Sequence, residues 1–388
     1  MRPMTLALLR VSLLALTCAA AQAATWNITL LEDQNSPELE RARLERAYLG
    51  HPGGPAADGW SQALEDARFE LEAAHTQIHS KSQSVSSLEA ARTAAQQAEK
   101  AGHHALIVNL PASWVAAVAA AVKLPVINVG AGADSLREAQ CRRNLLHTLP
   151  SERMRTDALA QTLVARQWSQ VLLLAGVSED DRLRSATAQA SLRRYGLKLV
   201  SERRFKLSAD PRERDLANTK LLTSGVKFDA AWVVDSDGEF ARTLPYNLQS
   251  ARPVVGDAGM VALGWHPQYE RFGAPQVSRR FAKSYKRPMT QQDWASWMAG
   301  KAITLAAGGL VKGGATELMA ALNQLSLDGS KGVTMQFRPW DGQLQQSLLL
   351  TDGQGVIGTA PVEGVLHPRN ALDTLGADST EKRCANRP

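Results

Sequence analysis

Short apolar runs recur along this chain, and a stretch with helical spacing follows most of them. HALIVNL (104–110), PVINV (125–129), QVLLLAG (170–176), FDAAWVVD (228–235) and RPVVG (252–256) are the clearest. Runs of this length without polar alternation read as strands buried on both faces, which marks a parallel sheet. Between them lie ASWVAAVAAAV (112–122), Asp157 to Trp168, Asp180 to Tyr195 with Gly196 as its stop, and Pro211 to Ser224, all read as helices. LKLVSERRF (197–205) reads as one more strand. Strand and helix in alternation restrict the chain to right-handed βαβ units. The alternation restarts beyond LLHTLPSERM (145–154), which reads as a strand crossing from one half to the other. The fold class is therefore α/β, with two Rossmann-like lobes built on parallel sheets.

The flanks add detail. WNITLL (26–31) is a strand. Trp60, Leu64, Ala67, Leu71 and Ala74 place one helix over Asp58 to Gln77. Ser86-Ser87-Leu88-Glu89 reads as a capping box that opens a helix ending at Gly102. Ser278 to Tyr285 and Gln292 to Ala307 are helices. VTMQFRPWDGQLQQSLLL (333–350) reads as a hairpin turning at Asp341-Gly342.

The N-terminus carries Arg2 and Arg10, an apolar stretch from Val11 to Ala21, and Ala21-Gln22-Ala23. That is the pattern of a secretory signal peptide over residues 1–23, too short to span a membrane. Cys18 lies inside it, with Thr17 and Ala15 where a lipoprotein signal favours a small residue and Leu. The expected mature chain is a soluble periplasmic protein starting at Ala24. Of 44 Lys and Arg against 38 Asp and Glu, the leader holds Arg2 and Arg10, so the remainder carries 42 − 38 = +4. No dense basic run with interleaved aromatics appears, so a nucleic-acid partner is not expected. Two cysteines remain, Cys141 and Cys384. An oxidising compartment predicts a disulfide between them. Two free thiols, or an intermolecular bond through Cys384, is the alternative.

The turn after PVINV raises the question of a dinucleotide site. Gly130-Ala131-Gly132 lacks the third glycine of that fingerprint, which falls at Ser135, and the turn does not follow the first strand. Bare backbone N–H groups at a strand's carboxyl end still suit a ligand. No phosphate-binding loop, nucleophile elbow or zinc-protease motif occurs, so no catalytic residue and no cofactor is assigned. His103 and His104 read as neighbours on opposite faces of a strand. Asp235, Asp237 and Glu239 have a spacing that suits either a hard cation or the cap of the next helix.

LPVINVGAGADSLREAQCRRNLLHTLPSERMRTDALAQTL (124–163), LPYNLQSARPVVGDAGM (244–260), GWHPQYERFGAPQVSRRF (264–281), FRPWDGQLQQSLLL (337–350) and LHPRNALDTLG (366–376) resemble one branch of the type I periplasmic binding proteins. That branch comprises the ABC-transporter substrate-binding proteins associated with pyrroloquinoline quinone-dependent alcohol dehydrogenase systems. The resemblance implies a first lobe of residues 24–148 with 275–336, and a second of residues 149–274 with 337–388. It implies three hinge crossings, near 147–151, 272–276 and 335–338. It also implies a small solute held in the cleft, and ABC membrane subunits as partners. Asp257 matches one anchor of the amino-acid receptors and Asn109 stands near their first hydroxyl position, while Gly130 to Ala133 replaces their Ala-Thr pair and GVSEDD (176–181) their Tyr-Gly. The expected ligand-binding residues are Asn109, Gly130 and Gly132 from the first lobe, with Asp235, Asp257 and Trp265 from the second. The glycines are expected to offer N–H donors, the acids to orient a cationic or hydroxylated group, and Trp265 to stack on the solute. The competing expectation is a binding or sensing module that takes a quinone cofactor, a metal ion or the dehydrogenase itself. An exported enzyme is a third class.

Overall fold

A computed structural model describes residues 24–36 and 53–387. The leader expected over residues 1–23 lies outside the described residues. Strand β1 (Ala24–Asp33) is followed by helices α1 (Ala56–Asp66) and α2 (Arg68–Ala73). Strand β2 (Thr76–Val85), helix α3 (Leu88–Lys100), strand β3 (Ala105–Asn109), helix α4 (Ala112–Ala121) and the short strands β4 (Val126–Asn128) and β5 (Leu145–His147) complete a five-stranded sheet. Its order is β2-β1-β3-β4-β5, and every pairing is parallel.

The second half repeats the scheme. Helix α5 (Glu152–Ala165), strand β6 (Gln170–Ala175), helix α6 (Glu179–Arg194), strand β7 (Lys198–Arg204), the short helix α7 (Thr219–Leu222), strand β8 (Ala230–Val234), helix α8 (Glu239–Asn247) and strand β9 (Val254–Gly256) follow in order. Its four-stranded parallel sheet has the order β7-β6-β8-β9. Strand β10 (Val261–Leu263) pairs antiparallel with β13 (Leu348–Thr351), which pairs with β14 (Val356–Ala360). Helices α9 (Ala274–Tyr285), α10 (Gln291–Gly308) and α11 (Ala315–Leu322) intervene, with strands β11 (Leu327–Asp328) and β12 (Thr334–Met335). Both parallel sheets are covered on both faces. Ile28, Ile107 and Ile127 face one apolar cluster and Leu31, Leu106 and Val126 another. Leu173 and Trp232 divide from Leu172 and Val233 in the same way. This double burial is why these strands read as continuous apolar runs.

Three regions differ from the sequence reading. The helix placed over Asp58 to Gln77 ends at Ala73, and TQIHSKSQSV forms β2 instead. This edge strand is mostly exposed and so carries no apolar alternation. The stretch from Pro211 to Ser224 is a 3-10 turn over Pro211–Ala217 followed by α7, not one helix. The Asp341-Gly342 turn exists, with Phe337 bridged to Leu344 across it. The expected hairpin arms, however, pair elsewhere: β12 with β11, and β13 with β10 and β14. Smaller adjustments follow from capping and packing. The cap of α3 is Ser87, whose hydroxyl accepts from Ala90 N at 3.1 Å, rather than Ser86. His103 and His104 precede β3, each bonded through Nδ1 to β1, at Thr29 Oγ1 (2.7 Å) and Asn27 N (3.0 Å).

The chain passes between the lobes at 148–151, around Gly264 and again over 344–348, so the second and third crossings lie away from the expected 272–276 and 335–338. Trp265, Phe337, Leu344 and Leu349 belong to the first-lobe core, whereas Ala262, Leu348 and Leu350 belong to the second. The passages are tied to one another. His147 N donates to Gly342 O (2.9 Å) and Leu344 N to His147 O (2.8 Å). Gln346 Nε2 donates to Thr148 O at 2.8 Å. Lys331, 2% exposed, donates to Gly264 O, Gln346 Oε1 and Ser347 O at 2.6, 2.9 and 2.8 Å, with its ammonium 3.8 Å from the Trp294 ring centroid. A buried ammonium is tolerable only with such acceptors around it.

The C-terminal tail lies across this hinge. Cys384 is bonded to Cys141 of the first lobe, with Cα atoms 5.7 Å apart. Arg387 donates to the carbonyls of Arg142, Arg143 and Leu145. In the other direction, Glu381 receives both guanidinium N–H groups of Arg153 at 2.8 Å, and Gly376 N donates to Asp157 Oδ2 at 2.9 Å. Besides the disulfide, polar bonds hold the tail, which its low apolar content does not reveal.

Candidate functional site

A cleft of about 1260 Å³ opens between the lobes. Its first-lobe wall includes residues at strand carboxyl ends: Asp33, the last of β1, Asn109, the last of β3, and Gly130 to Ser135 beyond β4. The opposite wall holds Glu152 and Arg155 on α5, Asp180 and Arg184 on α6, Asp235 and Ser236 after β8, and Asp257 after β9. Strand carboxyl ends from two parallel sheets thus face each other. Ligands of open α/β sheets sit in such crevices, where backbone groups leave the ladder and helices begin.

Five of the six residues singled out in the sequence line this cleft: Asn109, Gly130, Gly132, Asp235 and Asp257. Trp265 does not. It is 1% exposed in the first-lobe core, stacked on Trp294 with ring centroids 6.0 Å apart. The correction has a simple cause: the chain has already left the second lobe at Gly264, so the indole packs beneath the hinge rather than facing the cleft.

The glycine turn is built by Asn128 and Arg137. Asn128 Oδ1 accepts from Gly130 N (3.2 Å) and Ala131 N (2.9 Å), so the expected free donor at Gly130 is already occupied. The buried Arg137 guanidinium donates to the carbonyls of Ala131, Ala133 and Leu149 and to Gln343 Oε1. Those carbonyls turn inward as a result. Among the described residues nothing accepts from the N–H groups of Gly132 and Ala133. Gly130 has a different use: a Cβ there would lie 2.1 Å from Asn109 Oδ1. Asn109 neighbours Glu32, whose carboxylate accepts from Ala56 N, and burial pushes the Glu32 pKa up.

On the far wall the charges are arranged as a chain. Arg184 Nη2 meets Asp257 Oδ1 at 2.5 Å, and its Nε lies 3.6 Å from Glu152 Oε2. Glu152 Oε1 receives Arg155 Nη1 at 3.0 Å. Asp257 Oδ2 accepts from Asp235 N at 2.7 Å. Burial works to raise the Glu152 pKa, but the charges of Arg155 and Arg184 hold it below its ordinary value. Asp235 is pushed up to about 6 by burial, with Asp237 adding to the shift. Asp235 Oδ2 accepts from Ala241 N and Asp237 Oδ1 from Glu239 N, so these acids cap α8. Among the described residues no group of three or more His, Cys, Asp or Glu is arranged to hold a metal ion. Arg184, Arg155 and Glu152 were not singled out in the sequence. Arg184 lies one turn beyond Asp180, which reads as an ordinary surface pair on a helix.

Asp134 joins the lobes at the base of the cleft. It accepts from Arg153 N at 3.0 Å and from Thr187 Oγ1 at 3.2 Å, both in the second half of the chain. Burial, reinforced by the nearby Glu152, pushes its pKa up from 3.8 to about 6. A carboxyl with a raised folded-state pKa favours the fold in its protonated form. Its contribution is complete below pH 3.8 and is lost as pH rises through about 6. Asp134→Asn should therefore reduce the change in unfolding free energy between pH 4 and pH 7, measured by urea titration at each pH. An identical change in variant and wild type would show that Asp134 titrates as a solvated carboxylate.

No family model matches the chain, and no curated protein does. Solved structures do. A branched-chain amino-acid ABC-transporter periplasmic ligand-binding protein from Burkholderia xenovorans superposes with a TM-score of 0.71 at 15% identity, over 93% of this chain and 99% of that one. A leucine-, isoleucine-, valine-, threonine- and alanine-binding protein from Brucella ovis, in a closed conformation, gives 0.67 at 13% identity, over 84% and 89%. A solute-binding protein from Rhodopseudomonas palustris in complex with benzoate gives 0.60 at 15% identity, over 84% and 92%. The chain has the two-lobe type I periplasmic binding fold.

Proposed function

We propose, from this fold and the cleft it contains, that the chain is an exported solute-binding protein of an ABC transporter, with no catalytic role. The observation that carries the reading is the cleft of about 1260 Å³ walled on both sides by strand carboxyl ends. A solute touching both walls stabilises the closed arrangement over the open one by its differential contacts. Asn109, the Gly132 N–H and the charged wall around Asp257 are the groups placed to touch it. Asp235 acts on the solute through the loop it caps. The solved proteins with this fold take ligands as different as leucine and benzoate, so the fold alone leaves the solute open. Among the described residues no helix is long and apolar enough to cross a membrane. Periplasmic location and ABC membrane subunits as partners are part of the proposal, and rest on the leader-like N-terminus and the shared fold. The association with a quinoprotein alcohol dehydrogenase rests on the sequence resemblance.

The test is a thermal-shift screen of the purified protein, with scattering on each hit. A true solute at 100 times its Kd should stabilise the fold by about 2.7 kcal/mol. It should also reduce the radius of gyration as the lobes close. A protein whose melting point responds to no small molecule but rises with the dehydrogenase would favour the docking alternative. A stabilising ligand that is consumed would make it an enzyme.

A further inference from the structure

We infer that the solute is a small carboxylate anion without an ammonium group, and that Arg184 is the residue that selects it. The inference rests on the solute-binding reading above and adds the chemical class. It follows from an account of which donors and acceptors in the cleft are already taken. Asp257 is the natural partner for a cationic solute, yet both its oxygens are occupied, Oδ1 by Arg184 Nη2 and Oδ2 by the Asp235 N–H. Glu152 has one oxygen on Arg155 and the other facing Arg184. An ammonium arriving at these acids would have to displace a guanidinium that is 18% exposed and gripped from two sides.

Donors are the groups left over. Arg184 Nη1 comes no closer than 3.9 Å to Asp180, beyond hydrogen-bond reach. Arg155 spends Nε on Ala262 O and Nη1 on Glu152, leaving Nη2. Across the cleft the N–H groups of Gly132 and Ala133 have no acceptor among the described residues. Carboxylates do outnumber arginines along the walls, and Asp180 and Glu138 have only a guanidinium at 3.9 Å, but the acids set deepest against Arg184 are engaged. Asp134 accepts from Arg153 N and Thr187, and Asp235 from Ala241 N. Free donors on both walls, with both oxygens of Asp257 and of Glu152 turned to partners, match an anion with oxygen at each end. Planar guanidinium and carboxylate pair with two parallel bonds, which fixes orientation as well as charge. Asp257 and Glu152 are positioning residues: they hold the Arg184 fork in place before the solute arrives.

The experiment titrates the full mature protein with succinate and malate, with leucine, and with putrescine, following melting temperature and heat. Succinate or malate should bind, and leucine and putrescine should not. Loss of a charge-assisted pair should weaken carboxylate binding in Arg184→Met by about 10- to 100-fold. Arg184→Lys, which keeps the charge and the stem, should recover part of that loss and guards against a folding defect in the first variant. Binding of leucine or putrescine in preference to the carboxylates overturns the inference and leaves the solute-binding reading standing. So does carboxylate binding that Arg184→Met leaves unchanged. A protein that responds to none of the probes counts against both.

Discussion

Replacing Cys384 by serine should lower the unfolding free energy by up to about 5 kcal/mol, the chain-entropy value for so long a loop. The bond joins residues separated by 243 positions, so it removes a large share of the unfolded chain's freedom. Both cysteines are nearly buried, at 1% and 7% exposure. The tail on either side of Cys384 is also held, by Glu381 and Gly376 before it and Arg387 after it. In the variant these bonds must hold the tail unaided, and fraying would free Arg153 from its bidentate partner. Urea titration of wild type, Cys384→Ser and reduced wild type tests the expectation. The two thiol forms should agree with each other and fall well below the oxidised protein. A difference under about 1 kcal/mol would mean that the cross-link restricts the unfolded ensemble far less than the chain-entropy value.

The parts of the fold that could be read in the sequence are those where one physical cause dominates. Buried parallel strands such as β3, β6 and β8 demand unbroken apolar runs, and no other local structure of that length does. The edge strand β2 has solvent on most of its length, so its residues record no face at all. The passages between lobes obey neither period. They are fixed by Gln343, Gln346 and Lys331, whose partners lie far along the chain. The site divides in the same way. The place of Asn109, Gly130 and Asp257 in the cleft wall was legible because each lies at a strand's carboxyl end. Trp265 fits a stacking residue and a core residue equally well on paper, and only its burial on Trp294 decides. Arg184 could not be chosen over its basic neighbours. What distinguishes it is Asp257, 73 positions away.

Removing the Arg338 guanidinium should be the most damaging single side-chain change at the hinge. Arg338 is 1% exposed and precedes the third passage, one residue beyond Phe337. Its Nε donates to Asp373 Oδ1 at 2.9 Å, and its Nη2 to the carbonyls of Leu372 and Leu375 at 2.8 and 2.9 Å. Asp373 is itself 2% exposed, and beyond Arg338 its Oδ1 takes Gln345 Nε2. In Arg338→Met the methionine fills much of the space, but a carboxylate is left in the interior with one neutral donor. Breaking a buried pair from one side costs about 3 to 5 kcal/mol, because the surviving charge has lost its counterion and is kept from water. Asp373→Asn in the same background removes that charge and retains the Gln345 contact. The double variant should therefore be more stable than Arg338→Met alone, by about 1 to 3 kcal/mol. Urea titration of both single variants and the double closes the cycle. Additive losses would mean that the two groups do not interact in solution, and that the tail is held to the hinge by its other bonds.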